Sequence, residues 1–261
     1  MVCTLQLNGY LLDLSTPCVM GILNVTPDSF YEGSRKQTER DIAERAVQIV
    51  AEGGRIIDVG GCSTRPGGEQ PSEAEEMERL RRGLQIVRRE VPDALLSVDT
   101  YRPQVARMVV EEFGDAIVND VSGGSEEMFR LTARLGVPYV LTSVQADMGS
   151  MLTTLAAKVQ QLRDWGQKDI IVDPGFGFGK SLDDNYRVLA QLDRLQALRL
   201  PVLVGVSRKS MIYRLLDTTP AEALNGTTAL HALALERGAA ILCVHDVRQA
   251  VECVVLCEAM K

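Results

Sequence analysis

Eight short apolar runs alternate with eight amphipathic stretches along the 261 residues of this chain. The runs are rich in Val, Ile and Leu without strict alternation, which is typical of parallel strands buried on both faces. The stretches between them show helical periodicity, for example a single helix expected over residues 181–198. Several of them end in glycine, the usual residue beyond a helix end. The eight predicted strands are residues 18–23, 55–60, 94–99, 116–120, 138–142, 169–173, 201–207 and 239–244.

Strict alternation of strand and helix predicts parallel pairing with right-handed crossovers, hence an α/β fold. Eight units favour a closed (β/α)8 barrel of the TIM type over an open doubly wound sheet. The residues before the first strand resemble a short hairpin that turns at Asn8-Gly9 and plugs the bottom of the barrel. No linker or low-complexity segment divides the chain, so we expect one domain over residues 1–261.

Composition narrows the class of protein. Hydrophobic content of 46% and charged content of 24% are those of a globular protein. The net charge of −7 argues against a nucleic-acid or anionic-membrane surface. No apolar run approaches the ~20 residues that span a bilayer, and the six cysteines form no CxxC pair. We therefore expect a soluble, cytoplasmic protein.

Polar residues stand at the carboxyl ends of seven of the eight predicted strands, where barrels of this kind carry their active sites. Singly, each has an ordinary explanation: an aspartate there can cap a helix, the glycine-rich DPGFGFGK lacks nucleotide-loop spacing, and SRKS at 207–210 can be a solvated charge run. Together they predict a site. The polar segments are 24–30, 61–67, Asp99, Asn119-Asp120, Asp173, 207–210 and His245-Asp246.

The residue types suggest two kinds of ligand group. Asp99, Asn119 and Asp173 facing Lys209 suit a flat heterocycle, because carboxylates accept from amino and ring N–H groups while lysine donates to a ring carbonyl. A second group suits a phosphate or pyrophosphate, and a divalent metal could be held by Asn24 and phosphate oxygens. The residues of this second group are Asn24, Thr64, Arg65 and His245.

The motifs GILNVTPDSF, IIDVGGCSTRPGG, SVDTYRPQVA, NDVSGG, DPGFGFGK, LVGVSRKSMI and VHDV resemble, in order, those of the dihydropteroate synthase family. The resemblance runs from about residue 18 to the C-terminus. It implies condensation of 6-hydroxymethyl-7,8-dihydropterin pyrophosphate with 4-aminobenzoate, the folate-pathway step that sulfonamides inhibit. It also implies Mg²⁺ as cofactor, small molecules as the other partners, and a homodimer formed through the last helices.

The resemblance also implies roles for individual residues. Asp99, Asn119, Asp173 and Lys209 match pterin-binding positions, and Asn24, Thr64, Arg65 and His245 match the pyrophosphate and Mg²⁺ region, with Asn24 the metal ligand. Phe30, Pro66 and Ser210 match the aminobenzoate pocket, and Asp28 is also expected to bind substrate. The residues expected to act in catalysis are Asp99, Asp173, Lys209 and Arg65, with loss of pyrophosphate leaving a pterin-stabilised cation that the aniline nitrogen attacks.

Three departures from the family pattern leave alternatives open. Cys243 stands where an arginine is common, Cys62 where a glutamate is common, and Thr142-Ser143 where a Met-His pair is usual. A degenerate homologue that binds a pterin without turnover is one alternative. A pterin-dependent methyltransferase domain is another, although such domains lack the TPDSF and STRPG loops. Because the pterin-contacting positions are intact, we favour a working synthase.

Overall fold

The computed structural model describes residues 4–7, 9–25, 39–62 and 70–260. Its ten strands are β1 (Thr4–Leu7), β2 (Tyr10–Asp13), β3 (Cys18–Asn24), β4 (Ile56–Gly60), β5 (Leu95–Asp99), β6 (Ala116–Asp120), β7 (Tyr139–Thr142), β8 (Ile170–Asp173), β9 (Val202–Val204) and β10 (Ala239–Val244). The last eight are parallel and follow one another around a closed barrel, in which β10 pairs with both β3 and β9. The predicted α/β barrel is confirmed, and the single domain over 1–261 stays a prediction.

Helices connect the barrel strands. They are α1 (Glu39–Ala51), α2 (Glu73–Glu90), α3 (Pro103–Phe113), α4 (Glu126–Leu135), α5 (Met148–Asp164), α6 (Leu182–Ala190), α7 (Ser210–Tyr213), α8 (Leu224–Glu236) and α9 (Val247–Glu258). Capping boxes start α2 and α6, where Ser72 and Ser181 each exchange hydrogen bonds with the acid three residues on. Within the described ranges, no helix is long and apolar enough to cross a membrane.

The structure corrects the sequence-based boundaries in two places. The stretch 181–198, expected as one helix, divides into α6 and a 3₁₀-helix at Leu192–Leu198, where Leu192 and Leu195 are buried with the three-residue spacing of that helix. The strand expected at 201–207 ends at Val204. Beyond it the Lys209 N–H donates to the Val206 carbonyl (3.1 Å), closing a turn that leads into α7.

The lower half of the barrel interior is apolar and is closed by the β1–β2 hairpin. Side chains of the hairpin pack against those inside the barrel, as the predicted plug requires. Gly9 of the predicted turn has a positive φ of 78°, and Asn8 lies outside the described residues. This cluster contains Leu5, Leu7, Leu12, Leu14, Cys18, Met20, Ile56, Ile117, Val140, Ile171, Leu203, Ile241 and Cys243.

Alternation along each strand then places polar side chains above this apolar floor. Side chains two residues apart point to the same face of a strand, so an inward apolar residue is followed by an inward polar one nearer the carboxyl end. The inward pairs include Ile56 and Asp58, Ile117 and Asn119, and Ile171 and Asp173. The fold therefore forms a polar layer inside the barrel at its carboxyl end.

Candidate active site at the carboxyl end of the barrel

Three acids and an amide form the centre of this polar layer. Asp58, Asn119 and Asp173 are buried, and Asp99 is partly buried at the end of β5. The Asn119 Nδ2 donates to Asp58 Oδ2 at 3.1 Å, while Asn119 Oδ1 accepts no hydrogen bond within the described part of the chain. A buried acceptor of this kind is suited to a donor on a ligand.

The acids have too little positive charge around them to ionise easily. Burial raises the pKa of Asp99 well above its ordinary value; the neighbouring charge of Asp58 raises it further, and Lys209 opposes the shift. Burial also raises the pKa of Asp58, against a hydrogen bond from Asn119 that lowers it. The pKa of Asp173 is likewise raised by burial, with Lys209 opposing. The layer therefore favours ligands that bring N–H donors to carboxylates.

Lys209 reaches the same layer from the loop after β9. Its Nζ donates to the Phe176 carbonyl at 2.7 Å and lies 4.9 Å from the centroid of the Phe178 ring. Burial lowers the pKa of Lys209, and the nearby Asp173 carboxylate counteracts this. The structure thus brings together all four sequence-predicted pterin residues, and it adds the Phe178 ring beside the lysine.

Arg208, next to Lys209, is an anchor of this loop. The sequence allowed SRKS to be a solvated charge run, but Arg208 is buried and pairs with Asp246 through two hydrogen bonds of 2.8 and 2.9 Å. Its backbone has a positive φ of 52°, and its N–H donates to the Thr227 hydroxyl at 3.0 Å. This clamp fixes Lys209 and places Ser210 at the first residue of α7.

Two further anchors hold the ends of β5 and β6. The buried Glu76 of α2 accepts from the Thr100 hydroxyl (2.7 Å) and pairs with Arg102 (2.5 Å), which fixes the chain directly after Asp99. After β6, the Tyr139 hydroxyl donates to Asp120 at 2.9 Å. These contacts stiffen the strand ends that carry the candidate site residues.

Asn24 is the last residue of β3, and His245 directly follows the neighbouring strand β10. An added Cβ at Gly60 would stand 3.0 Å from Asn24 Oδ1 and 3.6 Å from Asp99 Oδ2, so glycine there leaves room for both side chains. Burial lowers the pKa of His245 to about 4, partly opposed by Asp246. His245 is therefore a neutral imidazole near pH 7 in this state, and it can still donate one N–H.

The sequence reading missed Asp58. It lies within the apolar run RIIDVG, and the signal for it was an acid two residues after an inward isoleucine. Cys243, the residue that departs from the family pattern, points at the same carboxylate, with Sγ 3.9 Å from Asp58 Oδ2. Burial raises the pKa of Cys243 well above its ordinary value, and Asp58 raises it further. The chain therefore places a neutral thiol, not a cation, beside Asp58.

The other departures lie at the margins of the layer. Cys62 is buried, its Sγ lies 2.7 Å from Gln70 Oε1, and burial raises its pKa to about 11. Thr142 and Ser143 are buried at the end of β7, where the Ser143 N–H donates to the Asp173 carbonyl at 2.8 Å. The end of β7, the one predicted strand end without a residue in the predicted site, thus supports the backbone of the neighbouring Asp173.

Five predicted site residues lie outside the described residues, so their placement stays a prediction. They are Asp28, Phe30, Thr64, Arg65 and Pro66. Within the ranges that the structure covers, no group of three or more His, Cys, Asp or Glu side chains is arranged to hold a metal ion.

The comparisons with known proteins agree with this geometry. A sequence profile described as "Pterin binding enzyme" matches residues 20–245. The dihydropteroate synthase of Escherichia coli K12 is 38% identical, over 96% of this chain and 94% of that protein; the Bacillus subtilis enzyme is 38% identical over 93% and 88%.

Solved structures give the same result. The Yersinia pestis dihydropteroate synthase with a sulfonamide drug superposes with a TM-score of 0.92 at 35% identity, covering 99% of both chains. The Xanthomonas albilineans enzyme with 4-aminobenzoic acid gives 0.89 at 36% identity, covering 100% of this chain and 98% of that one. The chain therefore belongs to the pterin-binding enzyme family, and to the dihydropteroate synthases within it. The predicted family and its transferase activity are confirmed at this level.

Replacing Asp58 by Asn tests whether the layer carries excess negative charge. An acid whose folded-state pKa is raised binds protons more tightly when folded, so its contribution to stability is lost as pH rises. We expect Asp58→Asn to raise the free energy of unfolding at pH 7 by about 0.5–2 kcal/mol, the usual range for a stabilising substitution. The gain should shrink on acidification. Urea denaturation measures it, with the exposed Asp193→Asn as the matched control; equal effects of the two variants would contradict the account.

Proposed function

We propose that this chain joins 4-aminobenzoate to 6-hydroxymethyl-7,8-dihydropterin pyrophosphate, releasing pyrophosphate and forming 7,8-dihydropteroate. The observation that carries the proposal is the layer of buried acids with Lys209 at the carboxyl end of the barrel. The family membership of the chain, and the 4-aminobenzoic acid bound by the Xanthomonas albilineans relative, support it.

The polar layer matches the edge of a pterin ring. Carboxylates of Asp99, Asp173 and Asp58 accept from the ring amino and N–H groups, and Lys209 donates to the ring carbonyl. These hydrogen bonds offset the burial that raises the pKa of the free acids. Asn119, whose amide donates to Asp58, presents its Oδ1, which accepts no hydrogen bond from the described residues, to the same ring.

We assign the pyrophosphate to the side of the pocket formed by Asn24 and His245, together with Thr64 and Arg65. Mg²⁺ prefers oxygen ligands, keeps several waters, and needs only one or two protein oxygens beside substrate phosphates. The amide oxygen of Asn24, partly exposed and next to Asp99 Oδ2 across Gly60, fits that role. Bound there, Mg²⁺ would neutralise charge on the phosphates.

The chain's own residues act on both ends of the breaking bond. The bond between the pterin methylene carbon and the pyrophosphate oxygen breaks, and its electron pair leaves with pyrophosphate. Asp99 and Asp173 stabilise the resulting cation, while Arg65 and His245 donate to the leaving group. The aniline nitrogen then uses its lone pair to form the C–N bond and releases a proton to water. From the family resemblance, we assign Phe30, Pro66, Asp28 and Ser210 to substrate binding, the first two and Ser210 to 4-aminobenzoate.

One observation favours a second candidate, a pterin-binding homologue without turnover. The Cys243 thiol beside Asp58 is neutral and supplies no positive charge for the departing pyrophosphate. Because Lys209 and both catalytic acids are in place, we favour the synthase.

We also propose that the chain forms a homodimer in the cytoplasm. Helices α8 and α9 and the residues after them expose a group of large apolar side chains that a second copy would cover. They are Leu233 (44% exposed), Val255 (61%), Leu256 (69%) and Met260 (69%). Five free cysteines in the described residues are compatible with a reducing compartment.

Pyrophosphate release from the pterin pyrophosphate with 4-aminobenzoate and Mg²⁺ tests the proposed reaction. We expect turnover that depends on 4-aminobenzoate. Asp99→Asn should lower kcat/KM at least about thirtyfold, because it removes a charged hydrogen bond worth ~2 kcal/mol. The control is Asp93→Asn, an exposed acid before the amino end of the same strand. Pterin binding without any turnover would instead support the degenerate homologue.

The two histidines allow a direct test of the pyrophosphate assignment. The pKa of both His231 and His245 is lowered to about 4 by burial, so neither ring should titrate between pH 7 and 5 in the free protein. Pyrophosphate beside His245 favours its protonated form and should raise that pKa by at least about one unit. NMR of the imidazole protons measures both, with His231 as the internal control and His245→Gln for assignment. An unchanged His245 at saturating pyrophosphate contradicts the assignment.

A further inference from the structure

Lys180, the last residue of DPGFGFGK, binds three backbone carbonyls at once. Its Nζ donates to Ser143 O at 3.0 Å, to Gly175 O at 3.0 Å and to Phe178 O at 3.1 Å. A lysine ammonium has three N–H donors, so this set of acceptors uses all of them. Lys180 thereby joins the loop after β7 to the loop after β8.

The loop after β7 and the loop after β8 approach each other closely at Gly175. Gly175 has a positive φ of 70°, and an added Cβ there would lie 2.1 Å from the Ser143 carbonyl oxygen. Three carbonyl oxygens therefore converge on one point, where their partial negative charges repel one another unless a cation lies between them. The Lys180 ammonium supplies that cation.

The segment that Lys180 holds also fixes both charged groups of the pterin pocket. The Gly175 N–H donates to Asp173 Oδ1 at 2.7 Å. One residue further on, the Phe176 carbonyl accepts from Lys209 Nζ at 2.7 Å. Lys180 therefore holds the backbone at Gly175, which contacts Asp173 directly and precedes the residue that contacts Lys209.

We propose that Lys180 is the positioning residue of the Asp173–Lys209 pair: it holds the loops after β7 and β8 together so that both side chains keep the geometry that binds the pterin ring. The proposal rests on the proposed function for its effect on substrate. The connection that Lys180 makes between the two loops, called the tether below, follows from its three hydrogen bonds and does not depend on the proposed function.

The charge of Lys180 provides a pH-dependent readout. Burial lowers its pKa to about 8, and Lys209 lowers it further, against Asp173 of β8 and Asp184 of α6, which raise it. Above that pH the neutral amine keeps only two donors, so one carbonyl is released. Lys209 also loses its proton on the alkaline side, because burial lowers its pKa too. The guanidinium of Lys180→Arg stays charged and separates the two effects.

The test compares Lys180→Met and Lys180→Arg with the control Lys168→Met, an exposed lysine just before β8. NMR hydrogen exchange of the Gly175 and Ser143 amides measures how firmly the two loops are held together. Steady-state kinetics measure the effect on the substrates. We expect Lys180→Met to speed exchange at both amides and to raise KM for the pterin substrate about 10- to 100-fold, the scale of an ångström misplacement. The KM for 4-aminobenzoate should not change to that extent, whereas kcat should fall as well, because Asp173 also stabilises the cation.

The companion variants decide the remaining outcomes. Lys180→Arg should raise the pterin KM less than Lys180→Met does. It should also remove the part of the wild-type rise in KM above about pH 8 that Lys180 causes, leaving the part caused by Lys209. If Lys180→Met does not fold, Lys180→Arg provides the test. Lys168→Met should match wild type. Wild-type exchange and pterin KM in Lys180→Met would overturn the proposal. A wild-type protein without turnover would contradict the proposed function, and exchange at Gly175 would still decide the tether.

Discussion

The site depends on burying several carboxyl groups inside a barrel whose floor is apolar. Period-two alternation along parallel strands puts Asp58, Asn119 and Asp173 in one layer above Ile56, Ile117 and Ile171. In that environment the charged form of each acid is costly, which raises the pKa values of Asp58, Asp99 and Asp173. A ligand that brings several N–H donors removes this cost, so the free pocket is prepared for such a ring.

Most of the cations around the layer support the backbone. Arg208 clamps the loop that carries Lys209 by pairing with Asp246, and Arg102 pairs with Glu76 behind Asp99. Lys180 uses its donors on carbonyls. With Cys243 neutral beside Asp58, the described part of the layer has Lys209 as its main positive charge. The arrangement suits a ring with many donors better than a free anion. Binding of the pyrophosphate therefore depends on Asn24, His245 and the expected Thr64 and Arg65.

Much of the fold could be predicted because burial on both faces leaves continuous apolar runs. The strand at 116–120 and the strand at 239–244 have the same bounds in sequence and structure. Asp99, Asn119 and Asp173 could be predicted because they stand at strand ends, where the barrel carries its site. Asp58 was missed because it lies inside an apolar run, and its inward orientation follows from the hydrogen bond that it accepts from Asn119 inside the barrel.

The anchoring roles of Arg208 and Lys180 could not be predicted from the sequence, for a different reason. Arg208 and Lys180 act through carbonyls and carboxylates that are distant along the chain, such as Asp246 and Ser143. No local sequence pattern encodes those partners. From the sequence alone, a buried arginine that pairs with a distant acid cannot be told from an arginine in a solvated charge run. The division of the helix predicted at 181–198 likewise follows from the burial of Leu192 and Leu195 against the rest of the fold.

The central claim is that the buried carboxyl groups have raised pKa values in the free protein and that N–H donors of a bound ring lower them. Proton release on binding tests this claim most directly. Calorimetry of a pterin lacking the pyrophosphate, so that His245 is not involved, is run at mildly acidic pH in two buffers of different ionisation enthalpy. The account predicts net proton release, because ring donors lower the raised pKa values of Asp58, Asp99 and Asp173. Binding with no proton release, or with proton uptake, would contradict it.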